Sequence, residues 1–226
     1  MNDKQLVAEY AAARISDGMT VGLGTGSTAN YFIEALARRC TAEGLRIRCV
    51  ASSVPSTIKA QAQGLPLLAL EHLEQLDVYV DGADEVTDDL CLLKGRGFDL
   101  VREKLLAKAA SAFWVLIDPS KRVSRLGQNF PIPLEVMPFA WHLVQAGVAS
   151  IGGEAQLRAN SGGDGLAITA YGSLVLDARF AVPVPDELLD QQLNAIPGIV
   201  EHGVFKGLAS AVFCADQGRV QVIEAG

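Results

Sequence analysis

The chain has 226 residues, half of them hydrophobic, with a formal net charge of −7 and no block of clustered Lys or Arg. That length and apolar content suffice for a sizeable core, as one large domain or a domain with a smaller companion. The acidic balance argues against nucleic acid as a partner; no run is apolar enough to span a bilayer, and the polar start Met1-Asn2-Asp3-Lys4 is unlike a signal peptide. Cys40, Cys49, Cys91 and Cys214 are scattered without a CxxC pair, so they are expected as reduced thiols of a cytoplasmic protein and not as metal ligands.

Helical spacing of Leu6, Val7, Tyr10, Ala13 and Arg14 predicts a helix over 3–17, stopped at Gly18. A short apolar strand, 19–23, then runs into Gly24-Thr25-Gly26-Ser27-Thr28 and a helix bearing Phe32 and Leu36. The next unit is a strand over 46–51 ending in Ser52-Ser53, a helix opened by Pro55 and stopped at Gly64, and a short strand at 67–70. Leu76-Asp77-Val78-Tyr79-Val80 reads as a buried strand ending at Asp81-Gly82. A helix over 98–110 and a buried strand over 112–117 follow. Strands alternating with helices imply an α/β fold with a Rossmann-like, doubly wound parallel sheet.

The pattern changes near Gly127. Pro131–Val136 reads as a strand broken by prolines, hence an edge or entry strand. A helix over 139–146, short strands at 156–158, 166–170 and 173–177, and a helix over 186–196 suggest a smaller α+β unit with antiparallel strands. The tail, 210–215 and 220–223, reads as a hairpin that rejoins the first sheet. The expected division is 1–127 with 206–226 as a catalytic domain, and 128–205 as the inserted one.

Three places carry chemistry. Strand, glycine–hydroxyl loop and helix over 19–36 form the layout of a phosphate cradle, in which bare N–H groups at a helix start face an anion. The loop is neither G-x-G-x-x-G nor a Walker A loop, and the second strand ends in serines where an acid would hold an adenosine ribose. Two hydroxyls beside bare N–H groups fit a small phosphomonoester; an ordinary capped turn is the alternative. Asp81, Asp84 and Glu85 lie where ligands of α/β sheets bind, and Lys94 returns on a glycine-flanked turn. Carboxylates that move protons and an amine that steadies developing negative charge suit proton abstraction beside a carbonyl. A turn with helix-start acids, or a Mg²⁺ site that includes Asp88 and Asp89, stays open at this point.

Arg102-Glu103-Lys104 has the composition of a solvated charge run, and an exposed glutamate is one outcome. Leu100, Leu106 and Ala107 nevertheless lie one turn from Glu103, so its carboxyl can be partly buried and its pKa raised toward that of a general base. Lys121 follows the strand ending at Ile117 and is a candidate cation for a phosphate or sugar oxygen. His72, His142 and His202 have no ligand spacing.

Gly24-Thr-Gly-Ser-Thr28, Ser52-Ser53 with Ser56-Thr57, Asp81-Gly82-Ala83-Asp84-Glu85, Lys94-Gly-x-Gly97, Arg102-Glu-Lys104, Asp118-x-Ser-Lys121 and Asn194-Ala-Ile-Pro-Gly198, in this order, resemble ribose-5-phosphate isomerase of the A type over nearly the whole chain. The resemblance implies interconversion of D-ribose 5-phosphate and D-ribulose 5-phosphate in the non-oxidative pentose phosphate pathway. It implies no metal or organic cofactor, a Rossmann-like domain with an inserted ferredoxin-like α+β domain, and a homodimer or homotetramer. It makes Glu103 the base and Lys94 the group that stabilises the enediolate. Asp81 and Asp84 hold sugar hydroxyls and assist proton traffic. The substrate-binding set it implies is Thr25, Gly26, Ser27, Thr28, the turns Asp81–Asp84 (with Gly82 and Ala83) and Lys94–Gly97 (with Gly95 and Arg96), and Lys121.

One departure stands out. The family usually has Lys-Gly-Gly-Gly-Ala where this chain has Lys94-Gly-Arg-Gly-Phe98. A positive φ at position 96 would strain an arginine; its side chain is expected to face solvent, the alternative being a cation added at the pocket rim. Two other functions would need features of their own. A non-catalytic sugar-phosphate sensor should carry a DNA-binding segment and basic charge, and a coenzyme A transferase needs a nucleophilic glutamate.

Overall fold

The computed structural model describes residues 2–225. In chain order the elements are α1 (Asp3–Ala12), β1 (Thr20–Leu23), α2 (Ser27–Glu43), β2 (Arg48–Ala51), α3 (Val54–Ala62), β3 (Leu76–Gly82), β4 (Glu85–Val86) and β5 (Leu92–Leu93). There follow α4 (Leu100–Ala109), β6 (Ala110–Ile117), β7 (Ile132–Val136), α5 (Trp141–Ser150), β8 (Gly153–Leu157) and β9 (Leu174–Phe180). The last are α6 (Asp186–Asn194), β10 (Ile199–His202), β11 (Val204–Phe205), β12 (Ala211–Asp216) and β13 (Arg219–Glu224). Two compact units result: Met1–Ala83, Arg102–Arg122 and Leu208–Gly226 in the first, Asp84–Val101 and Val123–Gly207 in the second.

The first unit is built on a six-stranded sheet in the order β13-β12-β6-β3-β1-β2. All neighbours pair in parallel except the β12–β13 hairpin, so five strands end on one edge. From β1 the chain passes to β2 on one side and returns to β3 on the other, which makes the gap between the ends of β1 and β3 the topological switch point, where ligands of such sheets bind. Val21, Leu23, Val78 and Val80 from the strands pack with Val7, Phe32, Ile33 and Leu36 from α1 and α2 in one buried cluster. Asn2 caps α1 by accepting from Gln5 N at 2.8 Å, and Ser53 caps α3 by accepting from Ser56 N at 3.2 Å with Pro55 in the first turn.

The second unit contains a four-stranded antiparallel sheet in the order β10-β7-β9-β8, with α5 between β7 and β8 and α6 between β9 and β10. Strand order 4-1-3-2 with two crossover helices is the ferredoxin-like arrangement. Leu134, Val136, Val144, Val148, Leu176, Leu189 and Leu193 form its core. A small sheet, β11-β5-β4, also belongs to this unit. Residues 84–101, expected from the sequence to continue the first domain, are therefore hydrogen-bonded to β11 of the second.

Several expectations about single elements need correction. Residues 67–70 form no strand: Leu67 makes one isolated bridge to Cys49, and the chain turns into a 3-10 helix at Leu70–His72. Residues 166–170 make only isolated bridges, from Leu166 to Ala159 and from Ile168 to Leu174. The proline-broken strand is interior, between β10 and β9. Pro133 is tolerated there because β10 pairs only as far as Leu134, and Pro133 needs only its carbonyl, which accepts from Gly203 N at 2.8 Å. The first helix stops at Ala12, short of the expected 17.

Candidate active site

At the switch point of the first unit the backbone of the β1–α2 loop lies against the end of β3. Gly24 N donates to Val80 O at 2.9 Å, and Thr25 N donates to Oδ1 of Asp81 at 3.0 Å. A Cβ on residue 24 would fall 2.1 Å from that oxygen, so only glycine permits this approach. Asp81, 1% exposed, also accepts from Gly82 N on Oδ1 at 2.7 Å and from the Tyr79 hydroxyl on Oδ2 at 2.5 Å. Three donors fix the rotamer of this carboxylate.

The rest of the loop is held by hydroxyls. Thr25 Oγ1 lies 2.9 Å from Ser52 Oγ and donates to Ser53 Oγ at 2.7 Å, while Ser56 Oγ donates to Gly24 O at 2.6 Å. The Thr25 side chain is thus spent on pinning the loop to the end of β2. Beyond it, α2 starts at Ser27 with Gly26 as N-cap in a positive-φ conformation (103°) and no side-chain cap. Ser27 is exposed, Thr28 half-buried, and Lys4 Nζ donates to Ser27 Oγ at 2.9 Å. A 17-residue helix with uncapped N–H groups, two hydroxyls and an ammonium is suited to an anion. Lys121 sits half-buried on a 3-10 turn just past β6, on the same edge of the sheet. Asp118 caps that turn by accepting from Ser120 N at 2.9 Å.

Glu103, in the first turn of α4, is 4% exposed, and Leu100, Leu106 and Ala107 are buried around that turn as the helical spacing predicts. Burial pushes the Tyr79 phenol well above its ordinary pKa, and the charges of Asp81 and Glu103 push it in the same direction. Glu103 therefore belongs to the same electrostatic neighbourhood as Asp81 within this unit. Tyr79, stacked on Phe113 with ring centroids 4.9 Å apart, is the participant that sequence reading missed. Its place one turn of the pleat before Asp81 was legible, but in a strand of apolar residues it reads as core.

In the second unit Asp84 N donates to Leu93 O at 2.8 Å, joining the two turns. Lys94 is 4% exposed; its N donates to Gly203 O at 2.9 Å and its ammonium lies 5.7 Å from the centroid of Phe205. Gly95 takes φ of 93°, and a Cβ there would meet Leu100 at 2.0 Å. Arg96 is not among the positive-φ residues, whereas Phe98 is, at 71°. The backbone strain anticipated at 96 has moved to 98. The Arg96 side chain, 52% exposed, does not simply point to water: its guanidinium is 4.1 Å from the Phe130 ring centroid and 3.9 Å from Asp84 Oδ1.

Glu85 has a different task from its neighbours. It is fully buried and accepts from Gly127 N, Asn129 N and Phe130 N at 2.7, 2.6 and 2.9 Å. It anchors a loop. Among the described residues no group of three or more His, Cys, Asp or Glu is placed to hold a metal ion, and no helix is long and apolar enough to cross a membrane. His202 is buried, 3.7 Å from Asp190.

A family profile described as Ribose 5-phosphate isomerase A (phosphoriboisomerase A) matches residues 48–219. Ribose-5-phosphate isomerase A of Methanothermobacter thermautotrophicus is 42% identical over 224 residues, covering 99% of this chain and 98% of the relative. The solved ribose 5-phosphate isomerase A of Methanocaldococcus jannaschii superposes with a TM-score of 0.93 at 36% identity, covering 98% of this chain and 97% of that one. A solved D-ribose-5-phosphate isomerase in complex with phospho-erythronic acid gives a TM-score of 0.95 at 36% identity, covering 99% of this chain and 100% of that one. With matches of that length and identity, the chain belongs to the ribose 5-phosphate isomerase A family of isomerases.

Proposed function

We propose that the reaction of this family, interconversion of D-ribose 5-phosphate and D-ribulose 5-phosphate, runs in this chain by proton transfer through an enediolate with Glu103 as the base. The observation that carries the reading is the buried Glu103 carboxyl sharing the Tyr79 environment with Asp81 at the carboxyl edge of the sheet. In the aldose-to-ketose direction Glu103 takes the proton from C2. The electron pair forms the C1–C2 double bond, and the carbonyl π pair moves onto O1. Returning the proton to C1 and moving the O2 proton to O1 completes the ketose. A sugar C–H is too weak an acid for an unaided carboxylate, so the oxyanion needs a cation, the role given to Lys94. Asp81, held by three donors, suits a fixed acceptor for a sugar hydroxyl, which leaves proton traffic between oxygens to Asp84.

The phosphate is assigned to the start of α2, with Gly26, Ser27, Thr28, Lys4 and Lys121, where its binding energy positions the reacting carbons. Support for the enediolate comes from chemistry: the carboxylate of an erythronic acid, the ligand of the solved relative, is planar and carries its charge on two oxygens, as a 1,2-enediolate does. The scheme calls on carboxylate, ammonium and hydroxyl groups only, with no metal or cofactor. A cytoplasmic location and a homodimer or homotetramer complete the reading. The four free thiols and the exposed Phe139 and Leu143 of the second unit support it.

A coupled assay in D₂O with and without EDTA, on wild type and Glu103→Gln, tests the scheme. Wild type should isomerise ribose 5-phosphate with solvent deuterium entering the product, unaffected by EDTA. The variant should lose at least about 10³-fold in kcat while still binding the sugar phosphate. Near-normal turnover by the variant would remove Glu103 as the base.

A further inference from the structure

Arg96 occupies a position where the resembling motif carries glycine, and the structure gives its side chain defined partners within the second unit. The guanidinium is 4.1 Å from the Phe130 ring centroid, with Nη1 3.9 Å from Asp84 Oδ1. Phe130 is a fixed platform, because Glu85 accepts from its backbone N at 2.9 Å. The Arg96 carbonyl accepts from Arg158 Nη1 at 3.4 Å, and Arg158 is itself forked onto Asp177, with Nε donating to Oδ2 at 2.8 Å. Its guanidinium also lies 5.3 Å from the Phe98 ring, so the second residue that departs from the motif is part of the same brace.

Stability does not explain this arrangement. A half-exposed ion pair at 3.9 Å contributes little, and the stacking contact adds only modestly. Charge offers a reason. The protein carries a net charge of −7, and a sugar phosphate is close to dianionic at neutral pH, so their encounter is unfavourable at long range. A cation held against the carboxylate that meets the sugar offsets part of that repulsion. We propose that Arg96 is an electrostatic positioning residue: carried on the Phe130 ring, it neutralises the field of Asp84 and draws the phosphorylated substrate toward it. The proposal rests on the reading that Asp84 contacts the sugar.

Titration calorimetry with ribose 5-phosphate on wild type, Arg96→Gly and Arg96→Lys, at about 20 mM and about 500 mM NaCl, tests it, since screening is nearly complete at the higher salt. Arg96→Gly should bind about 5- to 10-fold more weakly at low salt, with the gap closing to within about 2-fold at high salt. Arg96→Lys should retain most of the low-salt affinity. In turnover, KM should rise in Arg96→Gly with kcat changed by less than about 2-fold. Equal binding by wild type and Arg96→Gly at low salt overturns the proposal. So does a deficit that salt does not change, which would mark a packing role. Failure of the wild type itself to bind or isomerise ribose 5-phosphate would instead defeat the functional reading, and the proposal with it.

Discussion

The hydroxyl of Tyr79 donates a 2.5 Å hydrogen bond to Oδ2 of Asp81, two residues along the same strand. Side chains two apart on a strand share a face, so the phenol and the carboxylate are neighbours by geometry of the pleat alone. Thr25 N and Gly82 N take the other oxygen, and the carboxylate is held from three directions.

Tyr79→Phe keeps the ring that stacks on Phe113 and removes one donor to the charged form of Asp81. A hydrogen bond to a charged group contributes about 1.5–3 kcal/mol, of which part is expressed in the transition state. The expected result is a fall in kcat of about 10-fold. In the wild type the phenol, raised well above 10.0 by burial, stays protonated at working pH and adds no basic limb. An unchanged kcat would show that the bond has no functional weight.

Gly24→Ala places a Cβ 2.1 Å from Asp81 Oδ1, closer than any real contact. Either the loop or the carboxylate must move, and a shift of that size at a reacting centre costs about 10²-fold in rate. Circular dichroism should show the fold retained while kcat drops. Wild-type turnover would mean that the Asp81 position is less critical than proposed.

Glu85→Gln tests the loop anchor. The variant retains an acceptor but loses the charge that three backbone N–H groups share. Urea unfolding should report a loss of about 2–4 kcal/mol, with kcat per folded molecule near wild type. A large kcat defect in the stable fraction would instead place Glu85 in the chemistry.

Glu135 makes stability pH-dependent. It is 1% exposed on β7, accepts from Thr169 Oγ1 at 2.8 Å, and burial raises its pKa above the ordinary 4.5, with the charge of Glu201 adding to the rise. Because the folded-state value is the higher one, the protonated form is favoured by folding. The stabilisation is present below the unfolded value and is lost as pH rises through the folded one. Glu135→Gln should match wild type near pH 4 and unfold at a higher urea concentration at pH 7. Parallel stability curves for the two proteins would contradict this.

Sequence patterns were sufficient for whatever depends on neighbours along the chain. The alternation of apolar strands with capped helices specified the parallel sheet. Glycines and hydroxyls at 24–28 and serines at 52–53 follow strands and aspartate at 81 lies at the end of one, so parallel pairing alone lines them up on one edge. Helical spacing likewise placed Glu103 over Leu100, Leu106 and Ala107, although it could not decide between a buried and an exposed carboxyl. Tertiary structure decided that, because burial of a charge depends on elements distant in sequence. The same holds for the interior position of β7, whose prolines look disqualifying until β10 is seen to stop at Leu134. It holds for Glu85, which resembles its catalytic-looking neighbours until the N–H groups of residues 127–130 close around it, and for Arg96, whose direction is set by a ring 34 positions away. Local periodicity records which face a residue presents; only the folded chain determines what that face meets.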